Sequence, residues 1–287
     1  MFSHGKHIAA LQFFTDKIDD YWHINFPIIS SKRLKNDKII YPLDFSAKAT
    51  TYRGRFNSDK VYLFYGYNRK FHLHALEIAN YSLGAWCAYA LTHEDKWKKS
   101  ALINCDWLLK NQFSRGEWKI SHKNSIYGNL PEKWTSSLAQ GFAISSLIRA
   151  YRVTKNESYL IAATKAADYL RIDITKGGVK RIIGQNYILE EYPTPSVNGV
   201  LNGYITSVIA LYELSSEDIT YNSQFKDNLR NLERIIHQFD TGFWSYYNLR
   251  GDISSGFYHR YIIKQLKVLY SLFPHKKVFK KYIIKFN

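Results

Sequence analysis

The chain has 287 residues, 46% hydrophobic and 16% aromatic, enough for one large core; 22% are charged and no long Pro, Gly or Ser tract occurs, which excludes a disordered chain or two halves on a flexible linker. Forty Lys and Arg against 24 Asp and Glu give a formal charge of +16 with His neutral, which favours an anionic partner such as nucleic acid, acidic polysaccharide or a membrane surface. No apolar run reaches the ~18 residues of a membrane span, and the opening MFSHGKHIAALQFFTDKIDD lacks the apolar stretch of a secretory signal, so a soluble, cytoplasmic protein is expected.

In chain order, an amphipathic helix is expected at about residues 6 to 21. Residues 41 to 67, YPLDFSAKATTYRGRFNSDKVYLFYGY, alternate aromatic and polar residues between turn formers and read as extended hairpins rather than helix. His72 and His74 follow with no acidic cluster beside them, so a surface or core-edge place suits them better than metal ligation. From Asn80 onward the chain repeats itself. NYSLGAWCAYALTHEDKWKKSALINCDWLLKNQ, AQGFAISSLIRAYRVTKNESYLIAATKAADYLRID and LNGYITSVIALYELSSEDITYNSQFKDNLRNLERII each read as an apolar helix, a short polar turn and a second, amphipathic helix. Thr92, Thr154 and Ser215 stand at the same place in that turn, 62 and then 61 positions apart. Asp95, Glu157 and Asp218 come three residues later, the pattern of a capping box.

Each second helix is followed by glycine and a short extended stretch, at 116 to 120, 178 to 183 and 242 to 250, so β-hairpins are expected to join one pair to the next. A fourth unit begins at Gly256 with FYHRYIIKQLKVLYSLF, turns at Pro274 and ends in the truncated helix HKKVFKKYIIKF. The period is too long for TPR or HEAT units and suits a mostly α fold: an incomplete (α/α) barrel or toroid, in which apolar, small-residue-rich inner helices alternate with charged outer ones. One domain over 1–287 is expected, with the N-terminal helix and hairpins in 1–70 and the helix pairs in 71–287. The starts of the inner helices then crowd around one mouth, where LEEYP at 189 to 193, YYNLR at 246 to 250 and GFYH at 256 to 259 meet. Cys87 and Cys105 fall inside helical stretches and read as reduced core residues. After Asp252 the charged residues are all Lys or Arg, a pattern read as a solvated basic face at least as readily as a binding patch.

No GxGxxG, Walker loop, HExxH or G-x-S-x-G occurs, and neither metal nor cofactor is expected. What remains is the rim set: Glu190, Glu191 and Tyr192; Tyr246, Tyr247 and Arg250; Tyr258 and His259. Judged singly, each has a plain structural reading. A Glu-Glu-Tyr beside proline is usually a solvated loop, any one of 23 tyrosines is usually a core-edge residue, and a lone arginine is usually a surface cation.

Taken in order, LEEYPTPSVNGVLNGYITSVIALYEL, YNLR and FYHRYIIKQL resemble the C-terminal domain of D-glucuronyl C5-epimerases, which convert glucuronate to iduronate within heparosan or heparan-type chains. YPLDFSAKA at 41 to 49, ANYSLGAW at 79 to 86 and LPEKWTSSLAQGFAISSLIRAY at 130 to 151 extend the likeness over roughly residues 40 to 272. The resemblance implies an α/α barrel that removes a proton α to a carboxylate and returns one to the opposite face of the ring, which needs an acid/base group on each side and a cation at the carboxylate. On that basis Glu191 is the first choice as one acid/base, with Glu190 the neighbouring alternative; Tyr258 is the opposite one, Tyr247 assists it and Arg250 clamps the carboxylate. His259 fits as an orienting or subsite residue, and Tyr192, Tyr246, Asn202 and Trp134 complete the substrate-binding set.

The resemblance also carries departures. Long-form enzymes have a further N-terminal β-rich region whose tyrosines line the substrate channel, and this sequence is expected to hold only part of it, with Tyr41, Tyr52, Tyr62, Tyr65 and Tyr67 as candidate substitutes. The family pattern YHxxH keeps His259 but has Ile262 at its second position. The implied partner is an acidic polysaccharide, with no membrane span; a homodimer that docks a second subunit at the mouth is a further assembly. A lyase that expels the C4 substituent by β-elimination would use the same residues, a non-catalytic glycan-binding domain is the rival from another class, and nucleic acid rests on charge alone.

Overall fold

The computed structural model describes residues 25–28, 37–66, 70–121 and 130–287, and the helix expected at about 6 to 21 lies outside them, as does Tyr67. Strands β1 (Asn25–Ile28) and β2 (Leu43–Asp44) pair antiparallel, followed by the short helix α1 (Ser46–Thr50) and the two-residue pair β3 (Phe64–Tyr65) and β4 (Phe71–His72). Four helix pairs then run to the end: α2 (Ala75–Thr92) with α3 (Asp95–Lys110), α4 (Ser137–Thr154) with α5 (Glu157–Tyr169), α6 (Leu201–Ser215) with α7 (Asn222–Ile235), and α8 (Gly256–Leu272) with α9 (Lys277–Phe286). The hairpin β5 (Lys180–Ile183) and β6 (Asn186–Leu189) stands between the second and third pairs.

The first helix of each pair is the inner one. Residues 137 to 150 of α4 and 201 to 211 of α6 are buried without interruption, so those helices are wrapped on all sides and need no polar face. Their partner α7 buries Phe225, Leu229 and Leu232 and exposes Lys226, Asp227 and Arg230, the stripe of a helix lying over a core. The inner helices pack in the order α2, α4, α6, α8. A Cβ on Gly141 would lie 3.2 Å from the Ser207 backbone, so α4 and α6 meet almost backbone to backbone; that proximity is what the small residues provide. The N-terminal segment touches both ends of this row, with β1 and β2 against α8 and α1 against α2. Tyr41 stacks on Phe45, whose ring meets Phe142 edge-on at 5.6 Å, so the segment feeds its aromatic side chains into the core. The fold is therefore an incomplete α/α toroid, as expected.

Four expectations need correction. Residues 46 to 50 are helical rather than extended, because Asp44 Oδ1 accepts from the Ser46 amide and SAKAT lacks the β-branched alternation of a strand until its end. Of the three expected hairpins, β5–β6 alone is regular; 116 to 120 and 242 to 250 are reduced to bridges such as Ile120 with Trp134 and Tyr246 with Ile253. The repeating hydroxyls are not N-caps. Thr92 and Thr154 are the last residues of α2 and α4, their Oγ1 atoms donate to the carbonyls of Ala88 and Ala150, and the N-cap positions of the next helices fall two residues later, at Glu94 and Asn156. Ser215 likewise ends α6, while Asp218 caps a 3-10 turn. The repeat is real, but the hydroxyl closes the inner helix instead of opening the outer one. Finally, Tyr41 and Tyr62 are core residues and Tyr52 donates to the carbonyls of Arg55 and Leu63, which leaves Tyr65, 54% exposed, as the open member of the described hairpin tyrosines.

Both cysteines are buried free thiols, as expected: Cys105 Sγ lies 3.3 Å from Ser82 Oγ and 3.2 Å from Ser146 Oγ, tying α3 to α2 and α4. Among the described residues no helix is long and apolar enough to cross a membrane.

Candidate active site

The segments that lead into α4, α6 and α8, and the first turns of those helices, carry the rim residues. Hairpin β5–β6 reverses over Gly184 and Gln185, with Gly184 at φ 57, a left-handed conformation that glycine adopts without strain. Its second strand then runs onto the start of α4, where Ser137 donates from its amide to the Glu190 carbonyl and from its hydroxyl to the Leu189 carbonyl. The two carboxylates that follow are thereby fixed in space.

Glu190 and Glu191 are both buried but differently partnered. Glu190 is fully covered; its Oε1 receives Arg181 Nε at 2.6 Å and the Asn198 amide at 3.1 Å, and its Oε2 receives the Gly199 amide at 2.8 Å. Burial raises its carboxyl above the usual range, and the two amides and Arg181 pull it back. Register explains the pair: Lys180 faces Leu189 across the hairpin, which sets Arg181 and Glu190 diagonally on the same face. Arg181 also donates to the carbonyls of Thr194 and Pro195, so it holds the whole turn through the prolines.

Glu191 is 2% exposed and no cation among the described residues is paired with it. Its Oε2 takes a long 3.5 Å bond from Asn202 Nδ2 and lies where a Cβ on Gly203 would be only 2.6 Å away, so the carboxyl rests directly on the first turn of α6. Desolvation pushes it up to about 8, offset in part by Tyr192 and Asn202 and reinforced by the charge of Glu190. Behind it, Asn202 and Thr206 of α6 bond Gln265 of α8, and Tyr261, also buried, feels the Glu191 charge.

Two phenols sit at the starts of α6 and α8. Tyr247 donates its amide to Asp252 and offers its carbonyl to Leu201, which seats it on the same first turn of α6 that carries Glu191. Its ring centroid is 4.8 Å from that of Tyr258, in the first turn of α8, where Ser255 caps the helix through the Tyr258 amide at 3.4 Å. Tyr192 packs on Trp134 at 5.5 Å. Arg250 is exposed at the tip of the Asn248–Asp252 turn, and partly buried Tyr246 bridges Ile253.

Two members of the set sit differently from expectation. His259 is 2% exposed and engaged on both nitrogens: Nδ1 accepts the Ser245 amide at 3.2 Å, Nε2 reaches the Phe286 carbonyl at 2.8 Å, and Trp244 stacks on the ring at 3.5 Å. This is the neutral, Nε2-protonated tautomer, with burial lowering its pKa. It bolts the end of α9 to the 242–250 segment instead of facing the mouth. Trp134 is 5% exposed, a wall more than an open platform. Sequence reasoning missed Arg181, Gly203 and Tyr261. The hairpin register is the signal that points to Arg181; nothing in the sequence pattern singles out the other two.

Inner helices that carry a buried carboxyl and two phenols at their N-terminal ends define an α/α toroid with a candidate site at its rim. The family description "D-glucuronyl C5-epimerase C-terminus" matches residues 111–287, and the chain belongs to that family. The rim residues all fall within this range, whereas the likenesses at 41 to 49 and 79 to 86 lie outside it. A D-glucuronyl C5-epimerase of Caenorhabditis elegans is 36% identical over 162 residues, which is 50% of this chain and 26% of that protein. An uncharacterized protein of Methanocaldococcus jannaschii is 28% identical over 162 residues, 54% of this chain and 52% of the other. The chain thus spans about a quarter and about half of these relatives. A family 76 glycoside hydrolase from a bovine Bacteroides thetaiotaomicron strain superposes with TM-score 0.48 and 18% identity, covering 70% of this chain and 44% of that one.

Proposed function

We propose that the protein is a uronyl C5-epimerase acting on glucuronate residues within an acidic polysaccharide. The observation that carries this reading is the state of Glu191: a buried carboxyl at the mouth, with no ion pair to a described residue and a proton affinity moved up to about 8. A base near neutrality is what abstraction of a weakly acidic proton α to a carboxylate requires. Ionised Glu191 takes the C5 proton; the C5–H electron pair enters a C5–C6 double bond and the charge moves onto the carboxylate oxygens. Arg250 and the positive ends of α4, α6 and α8 stabilise that charge. Tyr258 returns a proton to C5 from the opposite face, with Tyr247 packed against its ring to assist it, and solvent restores both groups. Glu190 serves as the anchor of the loop, Asn202 orients Glu191, and Tyr192 and Tyr246 flank the sugar. The +16 charge draws the polymer in.

Incubation with heparosan in deuterated water tests the reading. Deuterium at C5 in intact chains, falling about 10²- to 10⁴-fold in Glu191→Gln, is the expected result. Exchange that survives Glu191→Gln removes Glu191 as the base. Ultraviolet absorbance from an unsaturated uronate would instead mean elimination, and binding without either signal a non-catalytic module.

A further inference from the structure

Next to the rim lies a cavity of about 300 Å³ lined by Arg115, Glu117, Lys119, Lys133, Thr135 and Tyr169 among others. Pro193, two residues after Glu191, also lines it, as does Trp134, which packs against Tyr192, so cavity and rim share these residues. The lining is rigid: Thr135 Oγ1 and Tyr169 Oη are 3.0 Å apart and Tyr169 donates to the Gly177 carbonyl. Three cations are held around the opening. Arg115 lies over the Tyr169 ring and donates to the Lys176 carbonyl, Lys119 lies over Phe113, and Lys133 is exposed.

Glu117 stands among them. It is 5% exposed, its Oε1 is 4.0 Å from Lys119 Nζ, and its Oε2 accepts no hydrogen bond from the described residues. A buried carboxylate in that condition is costly unless a donor reaches it. A ligand that brings hydroxyl donors for Glu117 and an anionic group for Arg115, Lys119 and Lys133 fits both halves of the lining. A sugar acid has both, and 300 Å³ is at the lower end of the range for small-ligand sites, on the scale of one ring.

We propose that this cavity is a second sugar subsite, which grips an anionic unit of the same polymer while its neighbour lies at Glu191. The inference rests on the reading of the rim as a polymer-acting site. Its consequence is length dependence: a chain long enough to fill both places binds more tightly than one that fills the rim alone.

The test uses the intact protein, oligosaccharides of four to ten sugars cut from heparosan, and the neutral maltohexaose, with binding followed by calorimetry and exchange by deuterium uptake. Affinity should rise with heparosan length and be absent for maltohexaose. The double variant Arg115→Ala/Lys119→Ala should lose about tenfold in affinity for the longer oligosaccharides, as expected for removing charge-assisted contacts, with KM raised and kcat unchanged. Glu117→Gln should weaken the same oligosaccharides. Lys277→Ala/Lys280→Ala on α9, none of whose residues lines the cavity, removes equal charge and serves as the control. Equal losses in both double variants would mean bulk attraction alone and overturn the subsite, as would unchanged binding in a folded Arg115/Lys119 variant or no saturable binding by the parent protein. Binding that follows the predicted pattern without any deuterium uptake keeps the subsite and overturns the epimerase reading.

Discussion

At the scale of single residues, Glu190 and Glu191 show how adjacent carboxylates acquire different chemistry. Glu190 is locked between a guanidinium and two amides, which favour its charged form; Glu191 meets an aromatic neighbour, a weak amide donor and a glycine, which leave its charge poorly solvated. The raised pKa has a definite sign for stability. An ordinary glutamate in the unfolded chain ionises near 4.3, whereas folded Glu191 keeps its proton to about 8. Between these values the native state binds the extra proton, so this contribution is full below the unfolded value and is lost as pH rises through about 8. Glu191→Gln should therefore unfold at a higher temperature than the parent at pH 8 and above, with the gain vanishing near pH 4; an upper bound of about 5 kcal/mol follows from the linkage. Deuterium exchange in the parent should climb with pH through about 8, since the base must be ionised. A flat exchange profile together with equal melting temperatures at pH 8 would contradict the assigned proton affinity.

At the scale of elements, the site depends on one helix turn. The first turn of α6 carries Leu201 under Tyr247, Asn202 under Glu191 and Gly203 against the same carboxylate. Gly203→Ala sets two effects against each other. Alanine gains about 1 kcal/mol of helix propensity, but its Cβ would stand 2.6 Å from Glu191 Oε2 and 3.2 Å from Glu191 Cβ, and a buried side chain has nowhere to swing. Overpacking of this kind costs about 1–3 kcal/mol, so the expected net is a small loss of thermal stability with a loss of exchange of at least about tenfold, out of proportion to it. Full activity in the variant would show that the close approach is dispensable. The sequence makes the repeat legible because burial on all sides demands apolar, small residues at a helical period, and it makes LEEYP legible as the entry to an inner helix. It does not distinguish Glu190 from Glu191, because that depends on Arg181 arriving across a hairpin. Nor does it reveal that His259 is bolted to Phe286, a contact set by where α9 ends. The hydroxyl at each turn was a sound marker of the period with a different local role, since threonine can close a helix by bonding back to the carbonyl four residues earlier as well as open one.

At the scale of the whole molecule, the end of the toroid opposite the mouth is bridged by arginines of α4: Arg152 pairs with Glu217 and donates to the Lys38 carbonyl, and the buried Arg149 lies one turn deeper. Arg149, fully buried near the end of α4, forms a two-pronged pair with Glu213 of α6 at 2.6 and 3.1 Å, and donates to the carbonyls of Ile39, Ile40 and Ser145 while lying over the Tyr41 ring. Two inner helices and the N-terminal segment thus meet on one side chain. Such a pair is weak evidence for net stabilisation, because both charges were taken out of water. Removing one partner is different: Arg149→Met strands the buried Glu213 carboxylate and leaves two carbonyls of the N-terminal segment without their donor, at a cost of about 3–5 kcal/mol. For a chain of this size that corresponds to a fall in melting temperature of roughly 10 °C. The double variant Arg149→Met/Glu213→Leu removes the stranded charge and should recover most of the loss. Hydrogen exchange should separate the two roles, since the amides of residues 37 to 49 should exchange faster in both variants while α4 and α6 are protected again in the double one. A single variant as stable as the parent, or a double variant no better than the single, would mean that packing around Tyr41 and Phe45 closes this end without the ion pair.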